Sequence, residues 1–373
     1  MKYYIIAGER SGDLHGGNLI YSLKKEDPKI QFRGIGGDYM ENEGMSLLLH
    51  YRNMAFMGFW EVFKNLRTIS KYIKKCKNDI TDYNPDVIVL IDYAGFNLKI
   101  ADFASKRGIP IFYYISPKVW AWNQKRALKI KRLVDRMFVI LPFEKDFYKK
   151  FDWEVDYIGN PVLDAVKKHK LKQKSVHDLS EHDDELVALL PGSRAHELEY
   201  ALPIFDQLAK EFKNLKFKIA AVDNLDQSLY HDISQNSNVE LVFGNTYDLL
   251  SSAHGAIVTS GTATLETALF KVPQIVTYRI SSISYKIAKA LIKVKYISLV
   301  NLIADKPVVR ELIQEDFNLD ELRSELNRLM YDQGYRNDIL SDYNLIYNKL
   351  DEGYASDNAA GLMIQYQSDT KQS

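Results

Sequence analysis

Short apolar runs alternate with longer amphipathic stretches from one end of this chain to the other. Each run is rich in Val, Ile or Tyr and has the length of a buried strand. The predicted strands of the first half cover residues 3–7, 31–35, 87–91, 111–115, 136–140 and 155–158. Those of the second half cover residues 186–190, 217–221, 239–242, 256–259 and 274–277. Because segments of helix length separate the strands, the pattern predicts parallel sheets with helices on both faces.

The strands fall into two sets, as the length of 373 residues also suggests, and the stretch between the sets is polar. It is lysine-rich and then acidic, which is typical of a solvated connection and is preferred here to an anion-binding role. The predicted fold class is α/β, with two doubly wound Rossmann-like domains facing each other across a cleft. We place one domain at 1–165, a linker at 166–185 and a second domain at 186–344, with residues 345–368 able to pack back on the first domain.

The amino-acid composition argues against several classes of function. The 49 basic and 49 acidic residues cancel, so charge gives no support for binding to nucleic acid. The single cysteine, Cys76, excludes a disulfide framework and a cysteine-based zinc site, and its spacing from Ile73 and Ile80 predicts a buried helix position. No metal and no cofactor are predicted. A strand-like N-terminus and the lack of an apolar run near 18 residues in length favour a cytosolic protein.

Two places in the second half combine a predicted buried strand, a tight glycine turn and a predicted helix. The turn residues are Gly192, Ser193 and Arg194 in the first place, and Ser260, Gly261 and Thr262 in the second. Such a turn presents backbone N–H groups at a helix N-terminus, where the helix dipole favours negative charge. Two of them in one domain predict a site for the diphosphate of a nucleotide sugar.

Charged residues beside these turns fit the same ligand. The planar guanidinium of Arg194 suits a phosphate oxygen, although an ion pair with Glu197 or Glu199 is the alternative. Glu266 follows Gly261 within the predicted helix and could reach a pair of ribose hydroxyls. The alternative for Glu266 is an ordinary helix glutamate. Together these features favour a nucleotide-sugar site.

Asp92 is the candidate general base. It directly follows the fully apolar strand 87–91, at the edge of the sheet where parallel strands bind ligands. Burial at such a position can raise the pKa of a carboxyl group into the range that is useful for a general base. The alternative is that Asp92 only caps a loop or the next helix.

A second polar loop follows the strand at 3–7. Its glycines do not match the dinucleotide-binding pattern, and its polar side chains are Glu9, Ser11, Asp13 and His15. Glu9 and Asp13 are reserve candidates for the base. Ser11 and His15 are candidates for contact with the second substrate. Ser11 and Asp13 are also good helix caps, and a lone histidine near a turn is usually structural.

An unusually apolar segment precedes a helix predicted at 61–80. Its large side chains are Met54, Phe56, Met57, Phe59 and Trp60. They either dock the helix against the core or form a patch for a lipid chain or a membrane surface. Residues 283–295 place lysines opposite an apolar face, which fits a helix on an anionic membrane or an ordinary solvated face.

Six segments resemble lipid-A-disaccharide synthases, in the same order along the chain. They are Ala7-Gly8-Glu9-Arg10-Ser11-Gly12-Asp13, Tyr114-Ile115-Ser116-Pro117-Lys118-Val119-Trp120-Ala121-Trp122, Leu141-Pro142-Phe143-Glu144-Lys145, Leu190-Pro191-Gly192-Ser193-Arg194, Ser260-Gly261-Thr262-Ala263-Thr264-Leu265-Glu266 and Tyr296-Ile297-Ser298-Leu299. The segments that contain Trp120 and Glu266 are the most specific of the six.

The resemblance implies a GT-B fold and an inverting, metal-independent glycosyl transfer. The family joins UDP-2,3-diacylglucosamine to 2,3-diacylglucosamine 1-phosphate at the cytoplasmic face of the inner membrane of Gram-negative bacteria, giving a β-1,6-linked disaccharide and UDP. Its essential aspartate and arginine correspond to Asp92 and Arg194. The same likeness makes Asn301 a candidate nucleotide contact and Trp120 and Trp122 candidates for the acylated acceptor. A homodimer is left open.

The chain departs from the family pattern at several places. Ala94 and Gly95 stand where the family has proline and a second aspartate, Asn160 where it often has histidine, and Val300 where it has proline. Two other functions stay open. A UDP-sugar epimerase would share the architecture and the nucleotide turns, and a catalytically silent nucleotide-binding scaffold would keep the turns without needing Asp92.

Overall fold

The computed structural model describes residues 1–54, 66–174, 183–223, 225–291 and 294–372. They form two compact units. The first contains Met1–Pro161 and Glu352–Ser373, and the second contains Val162–Asp351.

The first unit is built on a parallel sheet of seven strands. These are β1 (Lys2–Ala7), β2 (Gln31–Gly36), β3 (Ser46–His50), β4 (Val87–Ile91), β5 (Ile111–Tyr114), β6 (Arg136–Val139) and β7 (Asp156–Tyr157). Their order across the sheet is β3-β2-β1-β4-β5-β6-β7, so the direction of winding changes between β1 and β4. Ala7 pairs with Ile91 at that point, which places the loops that begin at Gly8 and Asp92 side by side at the carboxyl edge.

Helices connect these strands. They are α1 (Arg10–Glu26), α2 (Asp38–Asn42), α3 (Leu66–Tyr83), α4 (Ala94–Ser105), α5 (Val119–Trp122), α6 (Arg126–Lys131) and α7 (Phe143–Lys149), and a 3-10 turn covers Tyr51–Met54. Along α3 the apolar positions recur at helical spacing, so one face can pack against the sheet. Cys76 on that face is fully buried, which confirms its predicted position.

The second unit is built on a parallel sheet of six strands. These are β8 (Asp183–Leu190), β9 (Lys216–Ala221), β10 (Val239–Phe243), β11 (Ala253–Thr259), β12 (Gln274–Tyr278) and β13 (Glu311–Ile313). Their order is β10-β9-β8-β11-β12-β13, and Val258 pairs with Leu190 where the winding reverses. The turns that begin at Pro191 and Ser260 therefore leave neighbouring strands at the same edge.

The helices of the second unit lie before, between and after these strands. They are α8 (Pro161–Lys174), α9 (Ala195–Glu211), α10 (Thr246–Ser252), α11 (Thr262–Leu269), α12 (Ser282–Leu291), α13 (Leu299–Ala304), α14 (Leu319–Tyr331) and α15 (Gln333–Leu350), with 3-10 turns at Gln227–Tyr230, Ile233–Gln235 and Gln314–Asp316. The helix α8 and the start of β8 occupy most of residues 166–185, the predicted linker. The two doubly wound sheets confirm the predicted α/β fold class.

The last helix, α16 (Ala355–Gln372), belongs to the first unit. Its small and apolar residues Ala355, Ala359, Ala360 and Met363 are fully buried in that unit's core. The amide of Asn358 donates to the carbonyl of Ile158 at 3.1 Å. No helix in the part of the chain that the structure describes is long and apolar enough to cross a membrane.

Candidate active site

Asp92 lies at the carboxyl end of β4 in an unusual backbone conformation. Asp92 and Tyr93 have φ angles of 41° and 44°, in the left-handed region that residues with side chains rarely adopt. The carbonyl oxygen of Asp92 accepts hydrogen bonds from the Tyr113 hydroxyl at 2.5 Å and from the Asn97 amide at 2.8 Å. The same amide donates to the Ile91 carbonyl at 3.1 Å. The buried side chains of Asn97 and Tyr113 therefore hold the backbone of this loop in place.

The surroundings of Asp92 make it more basic than an ordinary carboxylate. Burial, together with the nearby negative charge of Glu9, raises its pKa to about 6, and the positive charge of Lys118 acts in the opposite direction. A carboxylate of this kind is largely ionised at neutral pH and still accepts a proton readily. The electrostatics fit the role of general base that the sequence predicts for it.

The loop after β1 packs against the loop of Asp92. A side chain at Gly8 would clash with the ring of Tyr93, so only glycine fits there. Glu9 and Ser11 are exposed, and the Ser11 hydroxyl donates to the Glu9 carboxylate at 2.8 Å. The structure thus brings Asp92, Glu9 and Ser11 to one edge of the sheet.

Asp13 has a structural role, which corrects the expectation that it is a reserve base. Its carboxylate is buried and accepts hydrogen bonds from three backbone N–H groups, those of Gly37 at 2.7 Å, Tyr39 at 3.1 Å and Met40 at 3.1 Å. Bonds of this kind fix the start of α2. Asp13 is therefore an anchor for α2 and not a free base.

The side chain of His15 is also mostly buried. Burial lowers its pKa to about 4, so the ring is neutral at pH 7. Its Nδ1 atom has no hydrogen-bond partner among the residues that the structure describes. A mostly buried neutral ring agrees better with the structural alternative than with contact to a substrate.

The two tryptophans expected near the acceptor have different surroundings. Trp120 is buried, and its Nε1 donates to the Glu144 carboxylate at 3.1 Å. That carboxylate also accepts the backbone N–H groups of Ile140 and Leu141, while burial raises its pKa to about 7. These contacts favour a structural role for Trp120, and its contact with the acceptor stays a prediction. Trp122 is 47% exposed and remains a candidate.

The turn after β8 is already occupied by a carboxylate. Glu197 accepts the backbone N–H groups of Ser193 at 2.9 Å and Arg194 at 3.2 Å, and its other oxygen accepts from the Arg194 guanidinium at 3.1 Å. Gly192 has a φ of 108°, and a side chain on it would clash with Glu197. The expectation that these N–H groups are free for a phosphate is therefore corrected. The side chain of Arg194 is 67% exposed, and its guanidinium keeps donors for a ligand.

The turn after β11 is open in comparison. The Ser260 hydroxyl donates to the carbonyl of Ile297 at 2.8 Å, and the Thr264 hydroxyl donates to the carbonyl of Gly261 at 2.8 Å. Gly261 and Thr262 are exposed at the first turn of α11. The start of this helix thus presents an accessible N-terminus that suits an anion.

Glu266 lies one turn into α11 and is half-buried. Its carboxylate accepts a hydrogen bond from the Tyr247 hydroxyl at 2.9 Å. Burial raises the pKa of Glu266, and the bond from Tyr247 opposes that effect. Tyr247 was not found from the sequence, because it comes from α10 and only the fold brings it to Glu266.

Asn301 makes internal contacts, which favour a structural role, and its contact with the nucleotide stays a prediction. The side chain is buried, and its amide donates to the Val309 carbonyl and to the Glu311 carboxylate, both at 2.9 Å. Its oxygen accepts from the Val309 N–H at 3.0 Å. These hydrogen bonds connect α13 to Val309 and to Glu311, the first residue of β13.

Some predicted residues lie outside the described part of the chain. Phe56, Met57, Phe59 and Trp60 fall in the segment 55–65, and the side chain of Met54 is likewise outside the description.

In α12, Ile283 is 75% exposed. The described residues contain no group of three or more His, Cys, Asp or Glu side chains that could hold a metal ion.

Two doubly wound units, each with polar turns at the point where its winding reverses, define a protein of the GT-B class. Solved structures of this kind include a UDP-GlcNAc 2-epimerase from Neisseria meningitidis bound to UDP-GlcNAc, with a TM-score of 0.65 and 14% identity over 99% of this chain and 100% of that one. Another is CalG4, a calicheamicin glycosyltransferase, with a TM-score of 0.64 and 12% identity over 99% and 98%. At such low identity these likenesses establish the fold alone.

The sequence defines the family more narrowly. Residues 3–357 match the profile of the lipid-A-disaccharide synthetase family. The lipid-A-disaccharide synthase of Syntrophus aciditrophicus is 39% identical over 96% of both chains. That of Geobacter sulfurreducens is 33% identical over 98% of this chain and 97% of its own. This chain belongs to the lipid-A-disaccharide synthase family.

Proposed function

We propose that this protein transfers 2,3-diacylglucosamine from its UDP derivative to 2,3-diacylglucosamine 1-phosphate. The products are a β-1,6-linked lipid A disaccharide 1-phosphate and UDP. Membership of the family over nearly the whole chain supports the reaction. The observation that carries the mechanism is Asp92, a carboxylate with a raised pKa at the reversal point of the first sheet.

In the proposed step the primary hydroxyl of the acceptor attacks the anomeric carbon of the donor. A bond forms between the hydroxyl oxygen and that carbon, the bond from the carbon to the diphosphate breaks, and the hydroxyl proton passes to Asp92. Its raised pKa improves the match between base and operating pH. Glu9 is the reserve candidate, because it is exposed on the adjacent loop.

The second unit is proposed to bind UDP and to stabilise the charge that it gains as it leaves. The accessible N-terminus of α11 and the exposed guanidinium of Arg194 supply positive potential without a metal. Glu266, oriented by Tyr247, is proposed to bind the ribose hydroxyls. Gly192 and Ser193 are proposed to contribute to this site through the backbone conformation of their turn.

We further propose that the protein works as a peripheral protein at the cytoplasmic face of the inner membrane. Both substrates carry acyl chains, so their reacting ends stay near the bilayer surface. The apolar segment that includes Phe56, Met57 and Trp60 is proposed to contact these chains. Trp122, which is exposed beside the guanidinium of Arg126, suits the boundary between lipid and water.

The test is to incubate the purified full chain with both acylated substrates in detergent and with a chelator. Release of UDP and a disaccharide 1-phosphate of the expected mass would support the proposal. A parallel reaction with UDP-GlcNAc alone tests the epimerase, which would return an epimerised UDP-sugar. Binding of UDP without turnover in either reaction would favour the silent scaffold and refute the synthase.

A further inference from the structure

The loop that carries Asp92 adopts a backbone conformation that its own sequence does not favour. Two successive residues with side chains, Asp92 and Tyr93, have left-handed φ angles of 41° and 44°. Aspartate tolerates this region, but an aromatic residue rarely occupies it. Such a conformation persists only when neighbouring groups hold it in place. The contacts around the loop therefore decide where the Asp92 carboxylate points.

Two fully buried side chains supply these contacts. Asn97, in the first turn of α4, donates from one amide nitrogen to the carbonyls of Ile91 at 3.1 Å and Asp92 at 2.8 Å. Tyr113, on the neighbouring strand β5, donates from its hydroxyl to the same Asp92 carbonyl at 2.5 Å. One carbonyl oxygen is thus held from a helix and from a strand at once, which fixes the peptide between Asp92 and Tyr93.

The orientation of this peptide is coupled to the neighbouring loop. The ring of Tyr93 covers the backbone of Gly8, and it stacks on Phe96 with ring centroids 6.0 Å apart. If the peptide rotated, the ring would leave Gly8 and the carboxylate would move relative to Glu9 and Lys118. These two are the charged side chains that act on Asp92.

We propose that Asn97 and Tyr113 form a clamp that aims the Asp92 carboxylate at the acceptor hydroxyl, and that both are positioning residues for the glycosyl transfer. The inference rests on the proposed function through the role of Asp92. Neither side chain is exposed, so the clamp acts through Asp92 and not by touching a substrate.

Asn97→Ala removes both amide contacts, and Tyr113→Phe removes only the hydroxyl. We expect kcat to fall by about 10²-fold in Asn97→Ala, the usual effect of a misplaced reacting group, and by less in Tyr113→Phe. KM should change by no more than about twofold, because the two clamp side chains are buried and do not touch a substrate. Unchanged kcat in both variants would overturn the proposal, and the milder Tyr113→Phe keeps the test usable if Asn97→Ala folds poorly.

Matched controls separate positioning from a general loss of stability. Asn238→Ala removes an asparagine whose amide donates to three backbone carbonyls in the second unit, at 3.0–3.1 Å. Tyr3→Phe removes a buried hydroxyl on β1 that has no hydrogen-bond partner among the described residues. Both controls should keep the kcat of the wild type. An equal loss in the controls would mean that any change to an internal polar side chain lowers the rate.

A double-mutant cycle tests whether the clamp acts through Asp92. In an Asp92→Asn background, adding Asn97→Ala should leave kcat unchanged, since the group to be aimed is already gone. If the two losses multiply instead, Asn97 acts independently of Asp92 and the clamp is refuted.

A substrate-free measurement keeps this inference separate from the proposed function. Titration of the Asp92 carboxyl carbon by ¹³C NMR should give a pKa of about 6 in the wild type. In Asn97→Ala it should fall toward the ordinary value of 3.8, as the carboxylate moves toward water. An unchanged pKa in the variant would overturn the clamp. A wild type that makes no disaccharide would refute the proposed reaction, whereas the pKa difference would still show that the clamp orients Asp92.

Discussion

Replacing Asp92 with asparagine should lower the rate and at the same time raise the stability. The substitution keeps the size of the side chain and removes its basicity. General base catalysis usually contributes about 10²–10⁴-fold, so kcat should fall by that amount. The affinity for UDP should stay unchanged, because the proposed nucleotide site lies in the second unit.

The stability gain follows from the pKa of Asp92. Burial raises this pKa from 3.8 to about 6, so the ionised group is less favourable in the folded protein than in the unfolded chain. The difference is worth at most about 3 kcal/mol. For a carboxyl whose folded pKa is raised, this cost is fully present above about pH 6 and vanishes below about pH 4.

Two assays check this reasoning. Denaturant unfolding at pH 7.5 should find Asp92→Asn more stable than the wild type, and the gap should close as the pH falls to about 4. The kcat/KM of the wild type should fall on the acid side of about pH 6, and the variant should lack that limb. A variant with the wild-type rate would exclude Asp92 as the base and make Glu9 the next candidate. A variant that is less stable at pH 7.5 would show that Asp92 is not an unfavourable buried charge.

Three further predictions concern other parts of the molecule. Arg194→Ala should weaken UDP binding by about 1.5–3 kcal/mol in calorimetry, the worth of a charge-assisted hydrogen bond, and unchanged affinity would remove this arginine from the site. Asp13→Ala leaves three backbone N–H groups without their acceptor, so the free energy of unfolding should fall by about 2–4 kcal/mol, and a neutral result would contradict its role as the anchor of α2. Changing Phe56 and Met57 together to serine should raise KM for the acylated substrates with nearly unchanged thermal stability, whereas a large drop in melting temperature would identify both as core residues.

The pattern of apolar and polar positions is sufficient to predict most of the strands. The strands that it misses, β3 and β13, lie at the edges of their sheets, where half-exposed residues weaken the apolar signal. The strands that lead into Asp92 and into the glycine turns end in unbroken apolar runs, which the pattern identifies. Because ligands bind where parallel strands end, the sequence alone places the loops that follow these strands at the carboxyl edges.

Residues whose roles depend on distant partners are harder to predict. Asp13 resembles a free base in the sequence because its three N–H partners follow it by more than twenty residues. The buried surroundings of Asn301 and Trp120 leave no local signal either. Glu197 is the exception, since it stands three residues after Arg194, the N-cap residue of α9, where a glutamate can close a capping box. That signal indicates that the turn before α9 is filled by its own carboxylate.

The return of the last helix to the first unit has a consequence for the order in which the protein is made. During synthesis the second unit, Val162–Asp351, emerges as one continuous piece. The first unit emerges earlier but still lacks α16, whose Ala359 and Met363 complete its core. Domains usually fold in the order of their synthesis. Here the unit that carries Asp92 completes its core last, after Val162–Asp351 has left the ribosome.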